Sequence, residues 1–370
     1  MESWRGDVAQ LMERVSRWHG GKTWADCSFL PALEALAGAV REEARLDARG
    51  WRLVEADWAR LLGSRLARQQ APPPAWNGAE VLFLSGPPRT GSTLLHNLLA
   101  QVPGTRTLRA WEALFPVPPP QGAPDPRPSL AALHLAAAGQ LAPGAAAAHA
   151  LRVQQAEECG WLFQHGFLDL VFLLHFHVPG YLAHYAAAPH GSSYQEFRNW
   201  LAGLEAGASP ARRWVLKSPR HLSHWREAAA AFPGARVVRL RRDTAEVAPS
   251  LVFFAWKVRR LFSSDAAAED VLRDWLPVLR ETEARADAAS RELPAGRLLE
   301  VEFNEVRADP VGVARRIHEW AGWAWDAGVE APLRQWAAAH AGSFRAARPS
   351  DGDWAAFGWS PREIRRRLGL

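Results

Sequence analysis

The sequence predicts an α/β fold: a parallel sheet flanked by helices, with a helical N-terminal cap and helical insertions. Three observations predict it. Short, continuous apolar runs recur at Val81-Leu-Phe-Leu84, Trp214-Val-Leu216, Ala235-Arg-Val-Val-Arg-Leu240 and Leu298-Leu-Glu-Val301, as expected of strands buried on both faces. Segments of helical periodicity separate them, and strands alternating with helices make a parallel sheet. The first three runs end in segments rich in Gly, Pro, Lys or Arg, at the carboxyl edge where such sheets bind ligands.

Residues 1–75 read as a helical cap. Leu11, Val15 and Trp18 share one helical face, as do Val54, Trp58, Leu61 and Leu62. Ala71-Pro-Pro-Pro-Ala75 closes the cap as a linker. The second unit is residues 76–370, with a helical insertion at about 116–206. Within it, residues 116–128 are Pro-rich and irregular, 129–175 are Ala- and Leu-rich and helical, and 178–206 mix Tyr, His and Gly as in a lid. Trp161, Phe163, Phe167, Phe172, Tyr181 and Tyr185 supply aromatic surface for an apolar acceptor pocket or for core.

The chain has 370 residues, 48% hydrophobic and 22% charged, which suits a globular protein with a sizeable core. A net charge of +5 is too mild for a nucleic-acid binder and suits an anionic small ligand. Lysine is confined to Lys22, Lys217 and Lys257, against 41 arginines. Lys217 is singled out because a lysine can release its proton and an arginine cannot. Two cysteines, Cys27 and Cys159, make no disulfide framework and point to a reducing cytoplasm. The N-terminus has no apolar signal core, and the apolar stretch Phe167 to Val178 is interrupted by Asp169, His175 and His177. No membrane span is expected. His175 and His177 alone are too sparse for a metal site, so no metal is expected.

Gly86-Pro-Pro-Arg-Thr-Gly-Ser-Thr93 follows the first strand and opens a helix. Such a loop curls so that successive N–H groups and the helix's positive end face an anion. This makes the fold class a P-loop-type parallel sheet. The nucleotide-hydrolase version needs a lysine after the second glycine. Here that position is Ser92, and Arg89 is the loop's only cation. A kinase or NTPase would therefore lack its central cation.

The loop resembles the 5′-phosphosulfate loop of sulfotransferases that use 3′-phosphoadenosine 5′-phosphosulfate (PAPS). It is most similar to the branch with G-x-P-R-[ST]-G-[ST]-T, which includes many bacterial enzymes and the tyrosylprotein and carbohydrate enzymes. The cytosolic branch usually carries Lys at the place of Arg89. A second motif, Arg242-Asp-Thr-Ala-Glu-Val-Ala-Pro-Ser250, resembles the family's 3′-phosphate site, an Arg at a strand end with a Ser eight residues later. Thr244 stands where the family usually has Pro, and Pro249 precedes the serine. Trp214-Val-Leu-Lys-Ser-Pro-Arg-His221, Glu157-Glu-Cys-Gly160 and the tail Trp354-Ala-Ala-Phe-Gly-Trp-Ser360 also resemble the bacterial branch. The resemblance covers roughly residues 78–370.

The resemblance implies PAPS as co-substrate, no metal, and a small-molecule or lipid-like hydroxyl acceptor. It implies that Pro88, Arg89, Thr90, Gly91, Ser92 and Thr93 hold the 5′ end and that Arg242 and Ser250 hold the 3′-phosphate, Arg with a bidentate fork. Lys217 is expected to stabilise charge on the sulfonate, with Arg89 beside it. Glu112, 23 residues after Arg89, is the first choice of general base, because desolvation among tryptophans would raise its pKa. His165, His175 and His177 are the alternatives, histidine being the base of the cytosolic branch. His221 is placed to orient Lys217 or the acceptor, or to cap its helix. A catalytically inactive nucleotide-binding protein stays as a further reading, and Arg365-Arg-Arg367 reads as a solvated charge run.

Overall fold

The computed structural model describes residues 4–70, 73–120, 122–141, 152–205, 212–342 and 350–369. Parts of the expected linker (71–72) and of the Ala-rich segment (142–151), and residue 206, lie outside the described residues.

In chain order the cap is α1 (Val8–Trp18), α2 (Leu30–Glu43) and α3 (Ala48–Gln69). Then come β1 (Glu80–Ser85), α4 (Ser92–Leu99), β2 (Thr105–Arg106), α5 (Ala110–Leu114), α6 (Arg127–Leu141), α7 (Gly160–Phe163), α8 (Val171–His175), α9 (Pro179–Ala187) and α10 (His190–Glu205). The remainder is β3 (Arg213–Lys217), α11 (Arg220–Ser223), α12 (Trp225–Ala231), β4 (Arg236–Arg241), α13 (Thr244–Arg259), α14 (Ala268–Glu292), β5 (Leu298–Glu302), α15 (Phe303–Ala308), α16 (Pro310–Ala321), α17 (Ala327–Ala339), α18 (Asp351–Phe357) and α19 (Pro361–Leu368).

The described strands form one sheet of order β2-β3-β1-β4-β5, parallel throughout. Four are the apolar runs of the sequence. The fifth, β2, is only Thr105–Arg106, too short to leave a hydrophobic signature. Side chains alternate across the sheet with the period of two that strands impose. Leu82 and Leu84 pack on one face with Leu95, Leu98 and Ile317. Val81 and Phe83 pack on the other with Phe163, Tyr194 and Phe197.

The register places the site. Lys217 ends β3 opposite Leu84 of β1, and Arg239 of β4 lies opposite Ser85. The chain leaving β1 therefore enters its loop with the ends of β3 and β4 on either side. Strand order alone brings three sequence-distant segments to one edge.

The cap packs on the same apolar cluster as α9, α13 and α14, through Leu33, Val54, Trp58 and Leu61 among others. Burying side chains of this size stabilises by about 1.5–3 kcal/mol each, so the cap is tightly joined to the rest. Trp18 departs from expectation: it is 63% exposed, because it ends α1 beyond the core, under the Arg14 guanidinium. Of the stretch expected as a lid, the described residues 178–205 form the packed helices α9 and α10, with Tyr181 and Tyr194 fully buried. Phe163, Phe167, Phe172, Tyr181 and Tyr185 are all buried in apolar clusters, so these rings build core and not an open acceptor pocket. Only Trp161 of that set is half-buried.

Pro249 sits inside α13 without breaking it. Proline lacks the N–H that would bond the carbonyl four residues back. That carbonyl, Ala245 O, instead accepts from Arg365 Nη1 of α19 at 3.5 Å. The Trp354–Ser360 segment also acquires a structural account. Gly358 ends α18 in the left-handed region (φ 89°), and Ser360 caps α19. Trp354 and Phe357 pack on Phe253 of α13. The C-terminal helices thus brace the helix that carries Ser250.

Candidate active site

The loop after β1 is shaped by close approach. A Cβ on Gly86 would stand 2.3 Å from the Leu240 carbonyl oxygen, so only glycine fits against the end of β4. Gly91 caps α4 at φ 79°, a left-handed conformation that glycine adopts at little cost. Arg89 holds φ 71° without that freedom, at a cost of order 1–3 kcal/mol. Such strain persists only where neighbours fix it, and two do. Thr90, fully buried, donates from Oγ1 to Pro87 O at 2.9 Å. Arg242 donates from Nη1 to the Arg89 carbonyl at 2.7 Å. Crowding by surrounding atoms, and then the charge of Arg242, lower the pKa of the solvent-facing Arg89. Two cations side by side over curled backbone are what an anion relieves.

Arg242 also lies over the Phe303 ring, 4.1 Å from its centroid, and pairs through Nε with Glu246 at 3.0 Å. Asp243 caps α13 by accepting from Ala245 N. Glu246 and Ser250, four residues apart, share one side of the first turns of α13, and Arg242 stands just before the cap and reaches Glu246. Ser250 is half-buried there.

On the opposite flank Lys217 is 2% exposed. A buried ammonium needs partners. It donates to Glu158 Oε1 at 2.5 Å and stands 3.5 Å from Thr93 Oγ1. Direct contacts join Arg242 to Arg89 and Lys217 to Thr93, and the loop itself links the two pairs at one sheet edge. Pro88, Thr90, Gly91 and Ser92 lie in the same loop and helix start.

Sequence reasoning missed Glu158, although the Glu157–Gly160 segment had drawn attention. Its placement explains that segment. Cys159 N donates to the Lys217 carbonyl at 2.9 Å, and Glu157 N to the Leu108 carbonyl at 2.7 Å. These tethers lay the segment beside β3 and aim the partly exposed Glu158 carboxylate at Lys217. Cys159 is fully buried; burial pushes its thiol far up and leaves it inert.

Glu112 is buried too, but its oxygens are engaged. Oε1 pairs with Arg106 Nη2 at 2.7 Å. Oε2 accepts from Arg109 N at 3.0 Å, closing a capping box on α5. Its contacts are structural, and it borders a cavity of about 1470 Å³ lined also by Asn97, Arg109, Trp111, Ala156 and Trp336.

His221 does not orient Lys217. Its ring lies on Phe83 (centroids 4.1 Å apart) and its Nδ1 meets Tyr194 Oη at 3.1 Å. Burial, with Arg220 and His96, holds it neutral. A fully buried imidazole among Phe83, Phe163 and Phe197 is part of the core. The alternative histidines are equally placed elsewhere. His165 faces the Trp161 carbonyl and Trp200, with its pKa driven down by burial. His175 and His177 line a cavity of about 10 Å³ against the cap, and His177 bonds Asp274. Among the described residues no group of His, Cys, Asp or Glu is arranged to hold a metal.

A profile of the sulfotransferase family matches residues 82–327, more than half of the chain. The chain belongs to the sulfotransferase family. Two solved sulfotransferases share its fold. STF1 of Mycobacterium tuberculosis H37Rv is 23% identical over the full length of both chains, with a TM-score of 0.81. STF9 of Mycobacterium avium is 22% identical over all of this chain and 96% of its own, with a TM-score of 0.82. No curated protein matches the sequence significantly. The matched span of this family member starts in β1 and holds the loop, Glu158, Lys217, Arg242 and Ser250. No described helix is long and apolar enough to cross a membrane.

Proposed function

We propose that this sulfotransferase moves a sulfonate group from PAPS to a hydroxyl on a small or lipid-like acceptor. The carrying observation is the Arg242–Arg89 contact across the sheet edge, which lets two separate motifs serve one bis-anionic nucleotide. The loop from Pro88 to Thr93 takes the 5′ end, with its backbone N–H groups and the start of α4. Arg242 and Ser250 take the 3′-phosphate, after Arg242 exchanges Glu246 for the ligand.

In the transfer the acceptor oxygen bonds to sulfur as the sulfur–oxygen bond to the 5′-phosphate breaks, leaving PAP. Arg89 and Lys217 offset charge on the sulfonate and the leaving oxygen. Glu158 takes the acceptor proton. It is preferred to Glu112 because it is solvent-accessible beside Lys217, while both Glu112 oxygens are taken. The large cavity shares Asn97 and Ala156 with the surroundings of the site and offers room for the acceptor.

The test is calorimetric titration with PAP, together with transfer from radiolabelled PAPS to a panel of alcohols and a host extract. Glu158→Gln is expected to keep PAP affinity within a few-fold and to lower turnover by roughly 10²–10⁴-fold. A wild-type protein that fails to bind PAP would sink the reading.

A further inference from the structure

Asn97 lies on α4, one turn beyond Thr93, and is 3% exposed. Its carboxamide has two donors and one strong acceptor, and the structure uses both sides of it. Nδ2 donates to the Thr93 carbonyl at 3.0 Å and to the Ala156 carbonyl at 3.3 Å. Oδ1 accepts from Ala156 N at 3.0 Å. One side chain therefore satisfies both backbone groups of Ala156, as a neighbouring strand residue would.

Ala156 begins the segment that delivers Glu158, and Thr93 ends the anion loop. Lys217 closes the circuit, touching Thr93 Oγ1 and Glu158 Oε1. The contacts run Asn97, Thr93, Lys217, Glu158, and back along the chain to Ala156. Besides Asn97, the segment is tied by backbone hydrogen bonds to Leu108 and Lys217, and through Gln155 and Val153 to Ala110 and Trp111 of α5; none of these bonds reaches α4.

We propose that Asn97 is a positioning residue for sulfonate transfer: it locks the segment carrying Glu158 to the helix that carries the anion loop. The proposal rests on Glu158 as proton acceptor. Loss of the carboxamide leaves the buried Ala156 N–H and C=O without their partner, so the segment shifts. Displacement of a catalytic group by about 1 Å can lower a rate by about 10²-fold, while the nucleotide contacts from the loop and Arg242 remain.

A double-mutant cycle tests this. In wild-type background, Asn97→Ala is expected to lower kcat by roughly 10- to 100-fold, with donor KM and PAP affinity held within about 3-fold. In a Glu158→Gln background the same substitution is expected to change kcat by less than about 3-fold, because the group it positions is already disabled. Thermal melts accompany each variant. Should Asn97→Ala fail to fold, the near-isosteric Asn97→Asp carries the cycle, since it removes both donors and keeps the shape. An equal loss of kcat in both backgrounds, or a rise in donor KM alone, overturns the proposal for Asn97 by itself. A fully active Glu158→Gln variant overturns the proton-acceptor reading, and the proposal with it.

Discussion

Arg242 donates a hydrogen bond to the carbonyl of Arg89, the one loop residue held in a left-handed conformation without being glycine. The contact joins residues 153 positions apart. Arg242 thereby fixes the strained peptide and still leaves part of its guanidinium for an anion. Arg242→Ala should therefore weaken PAP binding by about 10- to 100-fold, the loss expected for a charge-assisted hydrogen bond worth ~1.5–3 kcal/mol. Calorimetry checks it, and unchanged affinity would remove Arg242 from the nucleotide site.

Glu246 sits between Arg242 and Ser250 and holds Arg242 Nε at 3.0 Å. A phosphate arriving there meets a carboxylate that must turn away. The pair is exposed and so contributes only about 0.2–1 kcal/mol. Glu246→Gln should tighten PAP binding by up to about 5-fold. Weaker binding in that variant would show that Glu246 orients Arg242 and does not compete for it.

Glu112 is tied to Arg106 and to the start of α5. Glu112→Gln should cost about 1–3 kcal/mol of stability, because Arg106 loses its charged partner. Activity per folded molecule should stay within about 3-fold. A loss of turnover above tenfold with an unchanged melting temperature would restore Glu112 as the base.

Buried histidines predict the response to acid. Burial holds His96 and His190 at about 3, His224 at about 2 and His175 at about 4, and His165 and His221 well below the ordinary value. Above the ordinary value of 6.5 neither the folded nor the unfolded chain protonates them, so they do not affect stability. Below it the unfolded chain takes up protons that the folded chain refuses. Each then costs up to about 1.4 kcal/mol per pH unit until its folded pKa is reached. The melting temperature should fall steadily from pH 6.5 downward, and His221→Phe should lessen the slope. A melting temperature constant between pH 7.5 and pH 5 contradicts this account.

The loop was legible in the sequence because its chemistry is local. Glycines, a proline pair and the following helix are adjacent in the chain, and one anion site needs little else. Arg242 and Lys217 were legible for a related reason: each ends an apolar run, and parallel strands deliver their ends to one edge. The surroundings of His221 were not legible, because position after a strand says nothing of side-chain direction. The short helix α11 turns the ring into the aromatic cluster around Phe83. The aromatic set stood open between pocket wall and core, because periodicity does not distinguish them; burial puts all but Trp161 in the core.

The sequence by itself determined the α/β class, the four long strands, the glycine-bearing turn from β1 into α4 and the residues at two strand ends, all features carried by contiguous residues. Only the tertiary structure decided that Glu158 faces Lys217, that both oxygens of Glu112 are engaged, and that Arg242 braces Arg89. The first and last of those facts depend on strand order and on hydrogen bonds between segments tens of residues apart, whereas Glu112 bonds Arg106 and Arg109, only six and three positions away, in directions set by how the chain turns there. Backbone groups such as those of Ala156, Leu108 and Lys217 make these bonds, and every residue type carries them alike, so they leave no mark in the order of amino acids.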